Sequence, residues 1–112
     1  MNLKGSKTEK NLQEAFAGES MARNKYTYFA AQAKKDGYVQ IQKIFEETAF
    51  NEKEHGKLWF KLLNGGKVDE TLKNLAEAAN GENYQFTEMY PMFAKQAREP
   101  GFNASGFLFE EV

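Results

Sequence analysis

Cysteine is absent from this chain, histidine occurs once and proline only twice. Without cysteine there is no disulfide, no thiolate-bound zinc or iron–sulfur cluster, and no cysteine nucleophile. The prolines, Pro91 and Pro100, fall late, so nothing stops long helices in the first three quarters of the chain. No apolar run approaches the roughly 18–20 residues that a membrane crossing needs. The opening Met1-Asn2-Leu3-Lys4-Gly5 also lacks the apolar region of a signal peptide, so a cytoplasmic location is expected. Charge of one sign is missing too: a net charge of −1 gives no electrostatic case for nucleic acid or an anionic membrane. What the chain does have is aromatic residues, 14% of the total, among them ten Phe. In 112 residues that suits one mainly helical domain around a single bulky core.

The one histidine organises the rest. His55 follows Glu52 by three residues, so on a helix the two side chains occupy neighbouring turns of one face. Alternating steps of three and four give the stripe Ile41, Phe45, Thr48, Glu52, His55, Trp59 and Leu62, apolar at both ends and polar at its centre. A carboxylate and an imidazole that face a core need a partner, because an unpaired buried polar group costs roughly 2–7 kcal/mol. A metal ion is one such partner, and Glu-x-x-His is the pair that di-metal four-helix bundles use.

Ser6 and Glu9 have the spacing of a capping box, and Thr8 offers a further cap, so a first helix is expected from there to about Lys35. Its inward stripe is Leu12, Ala15, Glu19, Ala22, Tyr26, Phe29 and Ala33, again interrupted by a carboxylate. Asp36-Gly37 makes a tight junction to a second helix over 38–63, which Asn64-Gly65-Gly66 ends. The two form an antiparallel hairpin. Glu19 lies about 18 residues before that turn, and Glu52 and His55 about 15–18 after it. At roughly 1.5 Å of rise per residue, the three groups stand at one level. A third helical stretch is expected over 71–98, weakened at Gly81 and Pro91, with Gln85 and Glu88 as surface neighbours at i and i+3. Glu99-Pro100-Gly101 is a turn, and the tail after it holds one helical turn's worth of apolar residues. Glu46-Glu47 and Lys34-Lys35 read as solvated charge.

The stretches Leu3-Lys4-Gly5-Ser6-Lys7-Thr8-Glu9-Lys10-Asn11 and Ala15-Phe16-Ala17-Gly18-Glu19-Ser20-Met21-Ala22-Arg23-Asn24-Lys25-Tyr26 carry a family resemblance. So do Gln32-Ala33-Lys34-Lys35-Asp36-Gly37-Tyr38, Glu52-Lys53-Glu54-His55 and Thr87-Glu88-Met89-Tyr90-Pro91. Together they make the chain closely resemble the rubrerythrin family in its ferritin-like di-iron domain, from about Leu3 to Phe102. The resemblance implies a di-iron site in a four-helix bundle that reduces hydrogen peroxide to water in oxidative-stress defence, with electrons from a rubredoxin-type iron–cysteine centre. It implies metal ligation by Glu19, Glu52, His55 and Glu88, and a site-lining Tyr26 that hydrogen-bonds beside the ligands. It selects iron, where oxygen and nitrogen ligands alone would also suit manganese, zinc or cobalt.

The chain departs from the family pattern in three places. Gln85 stands where the family has a second third-helix carboxylate, the fourth helix with the second Glu-x-x-His is missing, and with no cysteine any rubredoxin-type donor is a separate protein. Ser105 and Gly106 also fit poorly at the start of a fourth helix. The expected architecture is therefore all-α: a ferritin-like domain over 1–112 with three main helices, incomplete at its C-terminus and completed in a homodimer. On a two-fold axis, two copies of Glu19 and of Glu52-x-x-His55 give four carboxylates and two histidines, the di-iron pattern of this bundle class. A helix-swapped dimer is the other arrangement. Three function classes remain open at this level: a peroxide-reducing oxidoreductase acting on hydrogen peroxide or dioxygen, a ferritin-like iron-binding or iron-oxidising protein, and an inactive helical fragment.

Overall fold

The computed structural model describes residues 2–112, and among them it is helical with no strand. The chain falls into two compact units that divide between Val68 and Asp69.

The first unit is a hairpin of α1 (Lys7–Lys35) and α2 (Val39–Leu63). Ser6 caps α1 as expected, its Oγ accepting from the Glu9 N–H at 3.0 Å. The reciprocal half of the capping box shifts by one residue: Glu9 accepts from Gly5 N–H, while Ser6 N–H donates to Leu3 O. Thr8 lies inside the first turn of α1. At the far end Gly37 takes φ +86°, a left-handed conformation that costs other residues more. Gly37 N–H donates to Lys34 O and Tyr38 N–H to Ala33 O, the paired bonds of a Schellman stop. Three linking residues then turn the chain back.

The hairpin closes on small residues. Ala30, Ala33, Ala49 and Gly56 are its buried positions, so the two helix backbones approach closely. Aromatic rings fill the space on either side. Tyr26 stacks on Phe45 at 6.1 Å between centroids, Phe29 meets Phe45 edge-on at 5.6 Å, and Phe16 tilts against Phe60 at 5.8 Å. Parts of the two predicted stripes stay open to solvent: Phe29 in the first is 46% exposed, and the two ends of the second, Ile41 and Leu62, are 46% and 54% exposed.

The second unit begins with an unbroken helical run over 71–98, as expected, with Gly81 inside it. Its interruption comes at neither a kink nor a late start. Between α3 (Thr71–Tyr84) and α4 (Tyr90–Arg98), residues Gln85–Met89 widen into a π turn, with Tyr90 N–H donating five residues back to Gln85 O. Pro91 supplies the reason. It has no N–H for the carbonyl of Thr87, and its ring would collide with that carbonyl in a regular α-helix. A wider turn relieves both problems.

The tail corrects the sequence expectation. Instead of a single turn it forms α5 (Asn103–Glu111), packed on α4 through Tyr90, Phe93 and Phe109. Gly106 is required there and is no misfit. A Cβ would lie 2.7 Å from Arg98 Cγ, closer than atoms sit, and 3.2 Å from Ala94 O, a tight contact. The same Arg98 pairs with Glu110 through Nε and a terminal nitrogen, both at 3.0 Å. Gly106→Ala is therefore expected to destabilise this unit by about 1–3 kcal/mol, the usual result of overpacking. Chemical denaturation followed by circular dichroism would measure it, and an unchanged midpoint would contradict the close packing.

Candidate metal centre

Position along the hairpin brings three of the four expected ligands together. Glu52 and His55 project from successive turns of α2, and Glu19 projects from α1 at the same level, as the count from the turn requires. One ligand atom from each lies within 4.8 Å of the other two. His55 Nδ1 stands 3.8 Å from Glu19 Oε2, too long for a hydrogen bond and suited to an ion pair if the ring is protonated. Glu19 is more enclosed than His55, its side chain 23% exposed against 55%.

Two features show strain in this cluster without a cation. Glu19 Oε2 is buried and accepts no hydrogen bond. Such an orphan costs about 1–3 kcal/mol, and more where the group carries charge. Glu52, for its part, has its pKa raised above the ordinary 4.5. The main cause is a hydrogen bond shared with the Glu19 carboxyl; burial and the negative charge of Glu19 add to it, and the neighbouring His55 opposes it. Two carboxyls close enough for one to raise the pKa of the other, beside an imidazole, are a donor set whose charge a divalent cation can offset. Two oxygens and one nitrogen suit iron, manganese, zinc or cobalt. The residues fit the metal that the pattern implies.

The remaining expected residues stand elsewhere. Tyr26 is half-buried, two turns along α1 from Glu19, and its ring belongs to the Tyr26–Phe29–Phe45 cluster. Glu88 lies on the π turn of the second unit and is exposed, while Gln85 at the start of that turn is half-buried. Their i, i+3 spacing would stack them on an α-helix; the wider turn rotates them apart.

Two residues of the hairpin were missed in the sequence. Trp59 Nε1 is buried without an acceptor, one turn beyond His55 on the same stripe. Counting Trp59 as apolar hid its single polar atom. Gly56, beside His55, faces Glu19: a Cβ there would sit 3.7 Å from Glu19 Cβ. A glycine inside a helical pattern is a legible signal, since it costs about 1 kcal/mol against alanine.

The family model described as Rubrerythrin matches residues 10–112. The chain is 50% identical to the rubrerythrin of Nitratidesulfovibrio vulgaris over 99% of its own length and 64% of that protein. It is 48% identical to the rubrerythrin of Porphyromonas gingivalis, covering 99% of the chain and 61% of the relative. For rubrerythrin-1 of Clostridium acetobutylicum the identity is 49%, over 99% of the chain and 65% of the relative. The chain thus spans a little under two thirds of these relatives. Since the likeness runs along nearly all of this chain and includes the helices that carry Glu19, Glu52 and His55, the chain belongs to the rubrerythrin family.

Proposed function

We propose that residues 1–112 act as a ferritin-like di-iron domain in the reduction of hydrogen peroxide to water, with Glu19, Glu52 and His55 as the ligands this hairpin contributes. The observation that carries the reading is the buried, unpartnered Glu19 Oε2 within reach of a second carboxylate and an imidazole. Bound iron would supply redox chemistry, two electrons that with two protons convert hydrogen peroxide into two waters.

The chain's own groups do the rest. Glu19 and Glu52 present two carboxylate oxygens that offset the charge of the metal. His55 offers a neutral nitrogen from the more open side, where its exposure leaves it room to move. Tyr26, whose ring stands in the aromatic cluster with Phe29 and Phe45, is proposed as a hydrogen-bonding group beside the ligands. Glu88 is proposed as a further ligand. Dioxygen is the alternative oxidant, a separate rubredoxin-type protein the electron donor, and the cytoplasm the setting.

The exposed apolar parts of both stripes favour a homodimer. Covering them is worth roughly 25 cal/mol per Å² of apolar surface removed from water. A two-fold axis near Glu19 would bring two Glu19 and two Glu52–His55 pairs to one centre. Elemental analysis after anaerobic Fe(II) loading, with the mass from light scattering, tests both parts. One iron per chain in a dimer is expected. Two per chain would replace the shared centre by a self-contained or swapped one, and no bound metal would end the enzyme reading.

A further inference from the structure

Gly56 and Gly106 are both buried helical glycines, but only one is required by its surroundings. At Gly106 a Cβ would collide with Arg98 and crowd the backbone of Ala94, whereas at Gly56 it would meet Glu19 Cβ at 3.7 Å and the Phe16 ring at 3.9 Å, ordinary contact distances. Gly56 therefore carries the cost of a mid-helix glycine without a steric need for it. What it leaves open is the floor of a groove of about 540 Å³ along the α1–α2 seam, within the range of small-molecule sites.

The groove is two-sided in its chemistry. Phe16 and Phe60, in ring contact, give it an apolar base on either side of Gly56. Arg23, Lys53 and Lys57 line it, and none of the three has an ion-pair partner among the described residues. Arg23 reaches only the amide oxygen of its neighbour Asn24, at 3.5 Å. The spacing explains the convergence: Phe16 and Arg23 are two turns apart on one face of α1, and Lys53, Gly56, Lys57 and Phe60 repeat at three and four on one face of α2. Glu52 and Glu54 also border the groove. With both carboxylates among the lining, three cations face two anions, and the groove keeps an excess of one positive charge.

We infer that this groove binds a small amphipathic organic anion, its ring or short chain on Phe16, Gly56 and Phe60 and its acidic group against Arg23, Lys53 and Lys57. Charge complementarity selects the class: a neutral apolar molecule would leave the excess positive charge unanswered, and an inorganic anion would leave the apolar floor wet. The site borders the metal cluster through Glu52 but does not depend on peroxide turnover.

The test is a titration of the whole 112-residue chain with 2-naphthoate, followed through backbone amide shifts, with 2-naphthylmethanol as the neutral comparator. Saturation at one site per chain is expected, with the shifts concentrated around Phe16, Arg23, Lys53, Gly56 and Phe60. Lys53→Gln with Lys57→Gln should weaken naphthoate by about tenfold, as loss of charge-assisted contacts does, and leave the alcohol unchanged. Gly56→Ala should weaken both ligands several-fold while the melting temperature holds or rises, so that failure to fold cannot mimic the result. Equal affinity for the alcohol overturns the inference. So do shifts spread along the exposed apolar stripes, absence of binding, or concentration-dependent shifts in the groove without ligand, which would make a second copy its occupant.

Discussion

Glu19→Ala abolishes metal binding and leaves the metal-free chain at least as stable as before. Glu19 provides the enclosed oxygen of the cluster, and Glu52 and His55 are the other groups that stand with it among the described residues. Loss of groups that merely support ligands commonly costs about 10–100-fold in metal affinity, so loss of the central ligand should exceed about 100-fold. In the metal-free chain the same substitution removes the unpartnered Oε2 and the charge that faces Glu52. The two effects have opposite signs. Thermal melting with and without Co(II) or Fe(II) should therefore show curves that cross: the variant equal or higher without metal, the parent higher with it. Light scattering should show the oligomeric state retained, because Glu19 sits at the level of the cluster and the exposed apolar parts of the stripes lie away from it. Unchanged metal stoichiometry in Glu19→Ala would remove the cluster from consideration as a metal centre.

A steep pH dependence of metal affinity is the second large effect. The hydrogen bond with Glu19, burial and the charge of Glu19 hold the Glu52 carboxyl above its ordinary 4.5, against the pull of His55. The folded chain thus binds this proton more tightly than the unfolded chain does. Its contribution to stability is full below pH 4.5 and is lost as pH rises through the raised value. The metal-free protein should lose stability across that interval, and Glu52→Gln, which cannot titrate, should flatten this part of the profile. Metal binding runs the other way, since a cation competes with the proton for the Glu52 carboxylate. Glu52 alone should add about one decade of affinity per pH unit below its raised pKa, and nothing above it. Isothermal titration in buffers of different ionisation enthalpy would count the released protons. A proton count of zero throughout the acid range would contradict Glu52 as a metal ligand with a raised pKa.

Both predictions rest on residues that one-dimensional periodicity could locate. The polar centres of the two stripes, Glu19 in one and Glu52–His55 in the other, are visible as interruptions of an apolar pattern. A helix has a fixed rise, so a tight turn at Asp36-Gly37 converts residue counts into heights. The helix ends were legible for a similar reason: Ser6, Gly37 and Asn64-Gly65-Gly66 act through local hydrogen bonds and dihedral angles that need no distant partner.

Other features depend on what lies across from a residue, and a linear pattern does not carry that. Gly106 reads as a helix breaker until Arg98 and Ala94 are found where its Cβ would be. Pro91 announces a disturbance, but only the three-dimensional backbone reveals a π turn that keeps 71–98 continuous and rotates Gln85 away from Glu88. Trp59 reads as apolar until its indole nitrogen is found buried without an acceptor.

The sequence by itself determined the helices, the hairpin and the level at which two carboxylates and an imidazole meet, because these follow from local geometry repeated along a chain. The tertiary structure decided which oxygen is left without a hydrogen bond, which carboxyl has its pKa raised, and which of two buried glycines is needed for packing. Those are questions of distances of a few ångströms between residues far apart in sequence, where burial and charge act together.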